Sequence, residues 1–169
     1  ELPVGDGTER NRAGIRAALA LMVEAGDIVE EGVMTGPNGP VTFEILLQTG
    51  SAENDSIANI YAESLERLGI DVTITRVDSA QFRERRDIYD FDMIYYRGGL
   101  SLSPGNEQRN YWGCEVVVQD GGRNLHGGCN PGIEAMIDEM LTAASQENYV
   151  AAVRALDRIL ISERYVVPF

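Results

Sequence analysis

The chain has 169 residues, of which 44% are hydrophobic, 27 are acidic and 14 are basic, giving a formal net charge of −13. The hydrophobic content is sufficient for a folded core, and a single domain, residues 1–169, is the expected count. The acidic balance would repel nucleic acid and anionic membrane surfaces, so neither is an expected partner. Membrane insertion is not expected either, because no apolar run approaches the roughly 20 residues that span a bilayer.

The first half of the chain predicts a helix followed by a strand, a helix and a strand. Apolar residues at helical spacing predict an amphipathic helix over Asn11–Ala25, and Val41–Gln48 alternates like a strand with one buried face. The next helix has Ile60 on its apolar side and ends at Gly69, after which Ile70–Thr75 alternates again. Such a βαβ crossover pairs its strands in parallel. The predicted fold class is therefore α/β, with a mixed sheet that contains the parallel βαβ unit and is flanked by helices.

The second half of the chain predicts a third strand and three helices. A mixed charge cluster favours a short helix from Ser79 to about Arg86. The near-continuous apolar segment FDMIYY, residues 91–96, is typical of a central strand covered on both faces. Asn130 and Pro131 form a favourable helix start, and Ser145 is a good N-cap for the last helix.

The common catalytic signatures GxSxG, GxxxxGK[ST], GxGxxG after a strand and HExxH do not occur in the sequence. Cys114, His126 and Cys129 could provide three zinc ligands or a Cys/His nucleophile pair, although a structural zinc site usually needs four ligands. The two cysteines could instead form a disulfide across 15 positions, which we favour if the compartment is oxidising. An acid and base pair of Glu107 with Asp120 is a further alternative.

Polar and aromatic residues concentrate after the third strand. In an open α/β sheet, ligands bind beyond the carboxyl ends of the strands, where this segment is expected to lie. Guanidinium groups, amides and hydroxyls with a flat aromatic wall suit a polar small molecule, whereas a solvated loop with the tryptophan in the core is the simpler explanation of the residue types alone. The candidate ligand-binding residues are Arg97, Ser101, Ser103, Asn106, Glu107, Arg109, Trp112, Arg123 and Asn124.

Several segments together resemble the C-terminal lobe of family 5 extracellular solute-binding proteins, the periplasmic receptors of peptide-importing ABC transporters. These segments are LALMVEAG, LERLGIDVTITRVDSAQF, FDM, NPGIEAMID and ALDRILISERYVVPF, so the resemblance extends from about Asn11 to Phe169. Within the family, SLSPGNEQRNYWG and the following GGRN resemble the YejA-like branch, which is associated with oligopeptides, microcin C and murein peptides.

The resemblance implies a non-catalytic periplasmic receptor lobe without cofactor or metal. A peptide ligand would bind in a cleft between this lobe and a missing N-terminal lobe of the same protein, and the closed receptor would deliver it to ABC transporter permease subunits. A signal peptide would precede the first lobe, and the isolated fragment would bind peptide weakly or not at all. The oxidising periplasm strengthens the prediction of a disulfide between Cys114 and Cys129.

The same resemblance assigns roles within the loop. Related receptors carry, at the position of Ser101, an aspartate that pairs with the ligand's α-amine, so amine recognition would need a substitute such as Glu107. Arg97, Arg109 or Arg123 would pair with ligand carboxylates. Two alternatives stay open: a family 5 receptor for a non-peptide ligand such as a sugar or metal chelate, and a hydrolase using an acidic pair or a Cys/His metal site.

Overall fold

A computed structural model describes residues 11–98, 102–117 and 119–168. The described residues divide into two compact units: one formed by those of Glu1–Arg83 with Phe91–Tyr96, the other by Glu84–Asp90 with those of Arg97–Phe169. The elements assigned to the first unit are α1 (Arg12–Ala25), β1 (Ile28–Glu30), β2 (Val33–Gly36), β3 (Gly39–Pro40), β4 (Thr42–Gln48), α2 (Ala52–Glu66), β5 (Asp71–Val77) and β6 (Met93–Ile94). Helix α3 (Ser79–Asp87) is divided between the units after Arg83.

The first unit contains the predicted crossover. Strand β4 pairs in parallel with β5 along its whole length and with β6 at two positions, giving the order β5–β4–β6. Ile45, Leu46 and Leu47 are all buried, so β4 is covered on both faces and not on one alone as its alternation predicted. The α/β fold class and its parallel βαβ unit are confirmed, with antiparallel pairing found in a separate sheet, β1–β2–β3.

Two details of this unit correct the sequence predictions. Residues 91–96 are not a central strand in the described chain, because only Met93–Ile94 pairs and lies at the edge of the sheet beside β4. Just before this pairing, the Asp92 carboxylate accepts the Glu44 backbone N–H (2.9 Å). A side chain, and not a strand carbonyl, is therefore the acceptor for this N–H of β4. Helix α2 is buried through its alanines, whereas Ile60, predicted on its apolar face, is 66% exposed.

Glycine is required where α2 leads into β5. Gly69 has φ +82°, and an added Cβ would lie 2.6 Å from the backbone oxygen of Gly32 and 2.8 Å from the backbone nitrogen of Met34. The Gly69 carbonyl accepts the Met34 N–H (2.7 Å), which ties β2 to the end of the α2 segment. A buried cluster of Met34, Leu68 and Ile70 packs there against apolar residues of α1.

The second unit is built around two long helices. Its elements besides the end of α3 are α4 (Glu107–Trp112), a 3-10 turn (Cys114–Val116), α5 (Pro131–Leu141) and α6 (Gln146–Glu163). Ile133, Ile137 and Leu156 belong to its buried core. The predicted helix starts are confirmed: Asn130 accepts the Gly132 N–H (2.8 Å), and the Ser145 hydroxyl oxygen accepts the Asn148 N–H (3.2 Å). Across the described ranges, every helix is too short or too polar to cross a bilayer.

Candidate ligand-binding site

A series of hydrogen bonds fixes the side chains of Glu107, Gln108 and Trp112 in α4. The Glu107 carboxylate accepts from the Gly105 backbone N–H (2.8 Å) and the Gln108 side-chain amide (3.2 Å), and the Gln108 side-chain oxygen accepts from the Trp112 indole N–H (3.1 Å). Hydrogen bonds from the backbone of Gly105, from the backbone of Glu107 itself and from Gln108 lower the pKa of the Glu107 carboxyl. Glu107 is therefore held as an ionised acceptor at neutral pH.

Trp112 belongs to the packed interior more than to an open wall. Its side chain packs against the buried cluster that includes Ile133 and Ile137, and its ring centroid lies 5.1 Å from that of His126. Gln108, which accepts the indole N–H, is itself buried. These contacts anchor α4 against the core of the second unit.

Arg109 is the basic residue of α4 that faces α5. Its guanidinium pairs with Asp138 and lies 3.7 Å from the carboxylate of Glu134. Glu134 also accepts the backbone N–H of Cys114 through its other oxygen. The positive charge of Arg109 is thus compensated by two carboxylates one helical turn apart on α5.

The predicted disulfide between Cys114 and Cys129 is confirmed, with their Cα atoms 4.6 Å apart. Within the closed loop, Asn124 is fully buried, and its side-chain amide donates to the carbonyls of Gly113 and Gly128, both at 3.0 Å. Asn124 therefore cross-links the two ends of the loop beside the disulfide, a structural arrangement that the sequence prediction of a ligand contact did not include.

Arg123 precedes this buried asparagine and is exposed. The turn that presents it is narrow, because a Cβ at Gly122 would lie 2.6 Å from the Tyr89 hydroxyl oxygen and 2.8 Å from the Gln119 carbonyl oxygen. The Arg123 guanidinium lies 3.4 Å from the hydroxyl oxygen of Tyr111, a residue of α4. A cation and a hydroxyl are thus brought together from two separate elements.

His126 joins the loop to the segment after α6. Its ring stacks on that of Tyr165, with centroids 4.1 Å apart and planes at 22°, and its Nδ1 accepts the Gly128 backbone N–H (3.0 Å). Burial lowers the pKa of the His126 imidazole, and a hydrogen bond with the backbone of Tyr111 opposes this shift. The acceptor role of Nδ1 requires the neutral ring in the tautomer that carries its proton on Nε2.

The remaining candidates lie on the surface or outside the described residues. Arg97, Ser103 and Asn106 are exposed, and Asn106 precedes α4 without a side-chain capping bond. Ser101, with the expectation about amine recognition, lies outside the described residues. The structure brings together Arg123 with Tyr111 and Arg109 with α5. Among the described residues, no side-chain hydrogen bond or ion pair joins Arg97 or Asn106 to them.

Sequence reasoning did not assign the partners that organise this region. The roles of Gln108, Glu134 and Asp138 depend on how α4 lies against α5, which residue types do not reveal. One signal was available, since Gln108 and Trp112 are four positions apart and would share one face of a helix.

The enzyme alternatives find little support in this geometry. The disulfide occupies both sulfur atoms, whereas zinc binding and nucleophilic attack both require thiolates. Among the described residues, no group of three or more His, Cys, Asp or Glu side chains is placed to hold a metal ion. The lowered pKa of Glu107 is opposite to the raised pKa expected of a general acid.

Three curated relatives are similar over almost the whole chain. It is 42% identical over 167 residues to a putative binding protein of Brucella melitensis, 38% over 168 residues to the peptidoglycan-binding protein YepA of Agrobacterium fabrum, and 33% over 168 residues to the probable peptide-binding protein YejA of the same bacterium. These alignments cover 98%, 99% and 98% of this chain but 27% of each relative. The chain therefore spans about a quarter of the length of the curated relatives it matches.

Solved structures share the fold. The oligopeptide-binding protein AppA of Bacillus subtilis, solved with a nonapeptide, matches with a TM-score of 0.78 at 17% identity, over 89% of this chain and 30% of that one. An oligopeptide-binding protein of Thermotoga maritima with bound mannohexaose gives 0.79 at 22% identity, over 91% and 30%. NikA of Brucella suis with Fe(III)-EDTA gives 0.70 at 20%, over 88% and 30%.

A family profile gives the assignment directly. Residues 4–117, well over half of the chain, match the profile described as "Bacterial extracellular solute-binding proteins, family 5 Middle". The resemblance that the sequence segments indicated is therefore confirmed, and the relatives named above are binding proteins. This chain belongs to family 5 of the bacterial extracellular solute-binding proteins.

Proposed function

We propose that this chain is the C-terminal lobe of a two-lobed periplasmic receptor that binds peptides and delivers them to an ABC permease. The observation that carries the proposal is the similarity, over 98–99% of the chain, to relatives described as peptidoglycan-binding and probable peptide-binding proteins. In the proposed receptor, the loop region after β6 faces the peptide, and closure of the second lobe buries it.

The geometry of the second unit supports a binding role. Its polar segments are fixed from within by the disulfide, by Asn124 and by the hydrogen bonds around Gln108, so few of them need to become ordered when a ligand binds. Preorganisation of this kind lowers the entropic cost of binding. The exposed candidate residues Arg97, Ser103, Asn106 and Arg123 are polar or basic, and such groups suit the amides and carboxylates of a peptide.

A non-peptide ligand is the second candidate. Proteins with the same fold have been solved with mannohexaose and with Fe(III)-EDTA, so the fold alone does not select peptides. We favour peptides because the relatives named for peptide or peptidoglycan binding are 33–38% identical to this chain, whereas the sugar and chelate complexes are 20–22% identical.

Isothermal titration of the complete receptor tests the proposal. Tri- to pentapeptides, including a murein-type peptide, are expected to bind with micromolar or tighter affinity, while mannohexaose and Fe(III)-EDTA are not. Tight binding of the sugar or the chelate with no peptide binding would contradict the proposal. The isolated 169-residue chain should bind the same peptides weakly or not at all, since it supplies half of a cleft; submicromolar affinity would contradict the two-lobed arrangement.

A further inference from the structure

Three arginines lie between β6 and α5. Arg97 is exposed, whereas Arg109 and Arg123 each approach another side chain, in very different surroundings. Arg109 is compensated by Asp138 and Glu134. Arg123 is exposed and has no carboxylate within ion-pair distance among the residues that the structure describes; its side-chain neighbour is the neutral Tyr111 hydroxyl. The chain has a net charge of −13, yet this cation has no neighbouring carboxylate among the described residues and is available to pair with an anion.

The backbone that carries Arg123 is fixed on both sides. Before it, the Gly121 N–H donates to the Asp87 carbonyl (2.9 Å), and the Gly122 N–H donates to the Gln119 carbonyl (2.7 Å). After it, Asn124 is fully buried and pairs with Val117 in an isolated parallel bridge. The guanidinium is therefore presented from a turn whose position is set by hydrogen bonds.

Tyr111 is fixed as well. It belongs to α4, and the following residue, Trp112, packs against the buried core and is hydrogen-bonded to Gln108. Arg109, two positions earlier, ties the same helix to α5. The hydroxyl and the guanidinium thus approach each other from two anchored elements that lie 12 positions apart in sequence.

We infer that Arg123 and Tyr111 form the part of the site that recognises a ligand carboxylate, so that the receptor selects anionic peptides. This inference rests on the proposed function. A guanidinium fork donates two parallel hydrogen bonds to a carboxylate, and the phenol hydroxyl supplies a third donor beside it. Arg109 is by contrast a structural cation, because its charge is already compensated by two carboxylates of α5.

The ligand carboxylate has two possible sources, the peptide C-terminus and an acidic side chain. Four alanine-based pentapeptides separate them: the free acid, its C-terminal amide, and amidated peptides with glutamate or glutamine at the centre. Each is titrated into the complete receptor, with Arg123→Gln, Arg123→Lys and Tyr111→Phe as variants. Arg158→Gln is the matched control, because it removes one exposed positive charge from α6.

The wild-type receptor is expected to prefer at least one carboxylate peptide over its neutral counterpart by about tenfold to a hundredfold, the usual effect of a charge-assisted hydrogen bond. Arg123→Gln should abolish that preference, Arg123→Lys should restore part of it, Tyr111→Phe should reduce it, and Arg158→Gln should keep it. The pair of peptides that shows the effect identifies the carboxylate.

Two outcomes overturn the inference and leave the proposed function intact. In the first, the wild-type receptor binds acidic and neutral peptides equally. In the second, the Arg123→Gln variant binds peptide and keeps the preference for the carboxylate peptide. A wild-type receptor that binds none of the four peptides overturns both. Because Arg123 is exposed, its variants should retain the circular dichroism spectrum of the wild type.

Discussion

The disulfide between Cys114 and Cys129 allows a quantitative prediction. It closes a loop of 15 positions. In the chain-entropy model, a cross-link of this length stabilises the folded state by about 3 kcal/mol. For a protein of this size, that corresponds to a decrease in Tm of about 6–12 °C when the bond is removed.

The chain carries its own probe for this measurement. Trp112 is its one tryptophan and packs against the core of the second unit, which also contains the disulfide. Urea unfolding followed by tryptophan fluorescence, with and without reductant, therefore reports the unit that the bond stabilises. We expect the free energy of unfolding to fall by about 3 kcal/mol on reduction. The double variant Cys114→Ser/Cys129→Ser should show the same loss and no response to reductant.

Two results would refute this reasoning. An unfolding midpoint that is identical in oxidised and reduced wild-type protein would show that the cross-link does not stabilise the unit. Two free thiols in a titration of the unfolded protein without reductant would show that the bond does not form.

Three further substitutions follow from named contacts. Gly69→Ala places a side chain at φ +82° against the backbone of Gly32 and Met34. It should destabilise the first unit by about 1–3 kcal/mol, as measured by urea unfolding followed by circular dichroism. No loss of stability would contradict the requirement for glycine. Asn124→Ala leaves two carbonyls without their donor, and it should cost about 2–4 kcal/mol by Trp112 fluorescence, against no more than about 0.5 kcal/mol for the exposed Asn106→Ala. The folded-state pKa of His126 lies below its unfolded value, so the unfolded chain binds the proton more readily. The contribution of neutral His126 to stability is therefore complete above about pH 6.5 and is lost as the pH falls toward the folded-state pKa. His126→Phe should remove that part of the pH dependence, and an unchanged pH profile would contradict the assignment.

Much of the fold could be predicted from local sequence signals. Alternation and helical spacing identified β4, β5 and the helix between them, and Asn130 and Ser145 were correct helix starts. These signals depend on residues near each other in the chain. The two cysteines also indicated the disulfide, once the family resemblance suggested an oxidising compartment.

The order of the strands depends on contacts between distant segments, which local sequence patterns do not reveal. The apolar character of residues 91–96 resembled a central strand, but the pairing partners of β4 decide which strand is central. The hairpin β2–β3 was not predicted, although Pro37 and Asn38 at its tip and Gly39 after them are residue types that β-turns favour.

The candidate site shows the same division. Residue types predicted a binding site in the polar segment, but they could not separate an arginine compensated by carboxylates from one that is not. That distinction depends on the packing of α4 against α5, which brings Asp138 to Arg109 and leaves Arg123 beside Tyr111. Likewise, the sequence predicted a ligand contact for Asn124 but not the two hydrogen bonds by which its buried amide holds the loop together.

The most direct test of the central claim is mass spectrometry of the ligand carried by the complete receptor when it is purified from its own bacterium under non-denaturing conditions. The proposed function predicts a peptide released on denaturation, and the assignment of Arg123 predicts that this peptide bears a free carboxylate. A bound sugar or metal chelate in place of a peptide would contradict the claim.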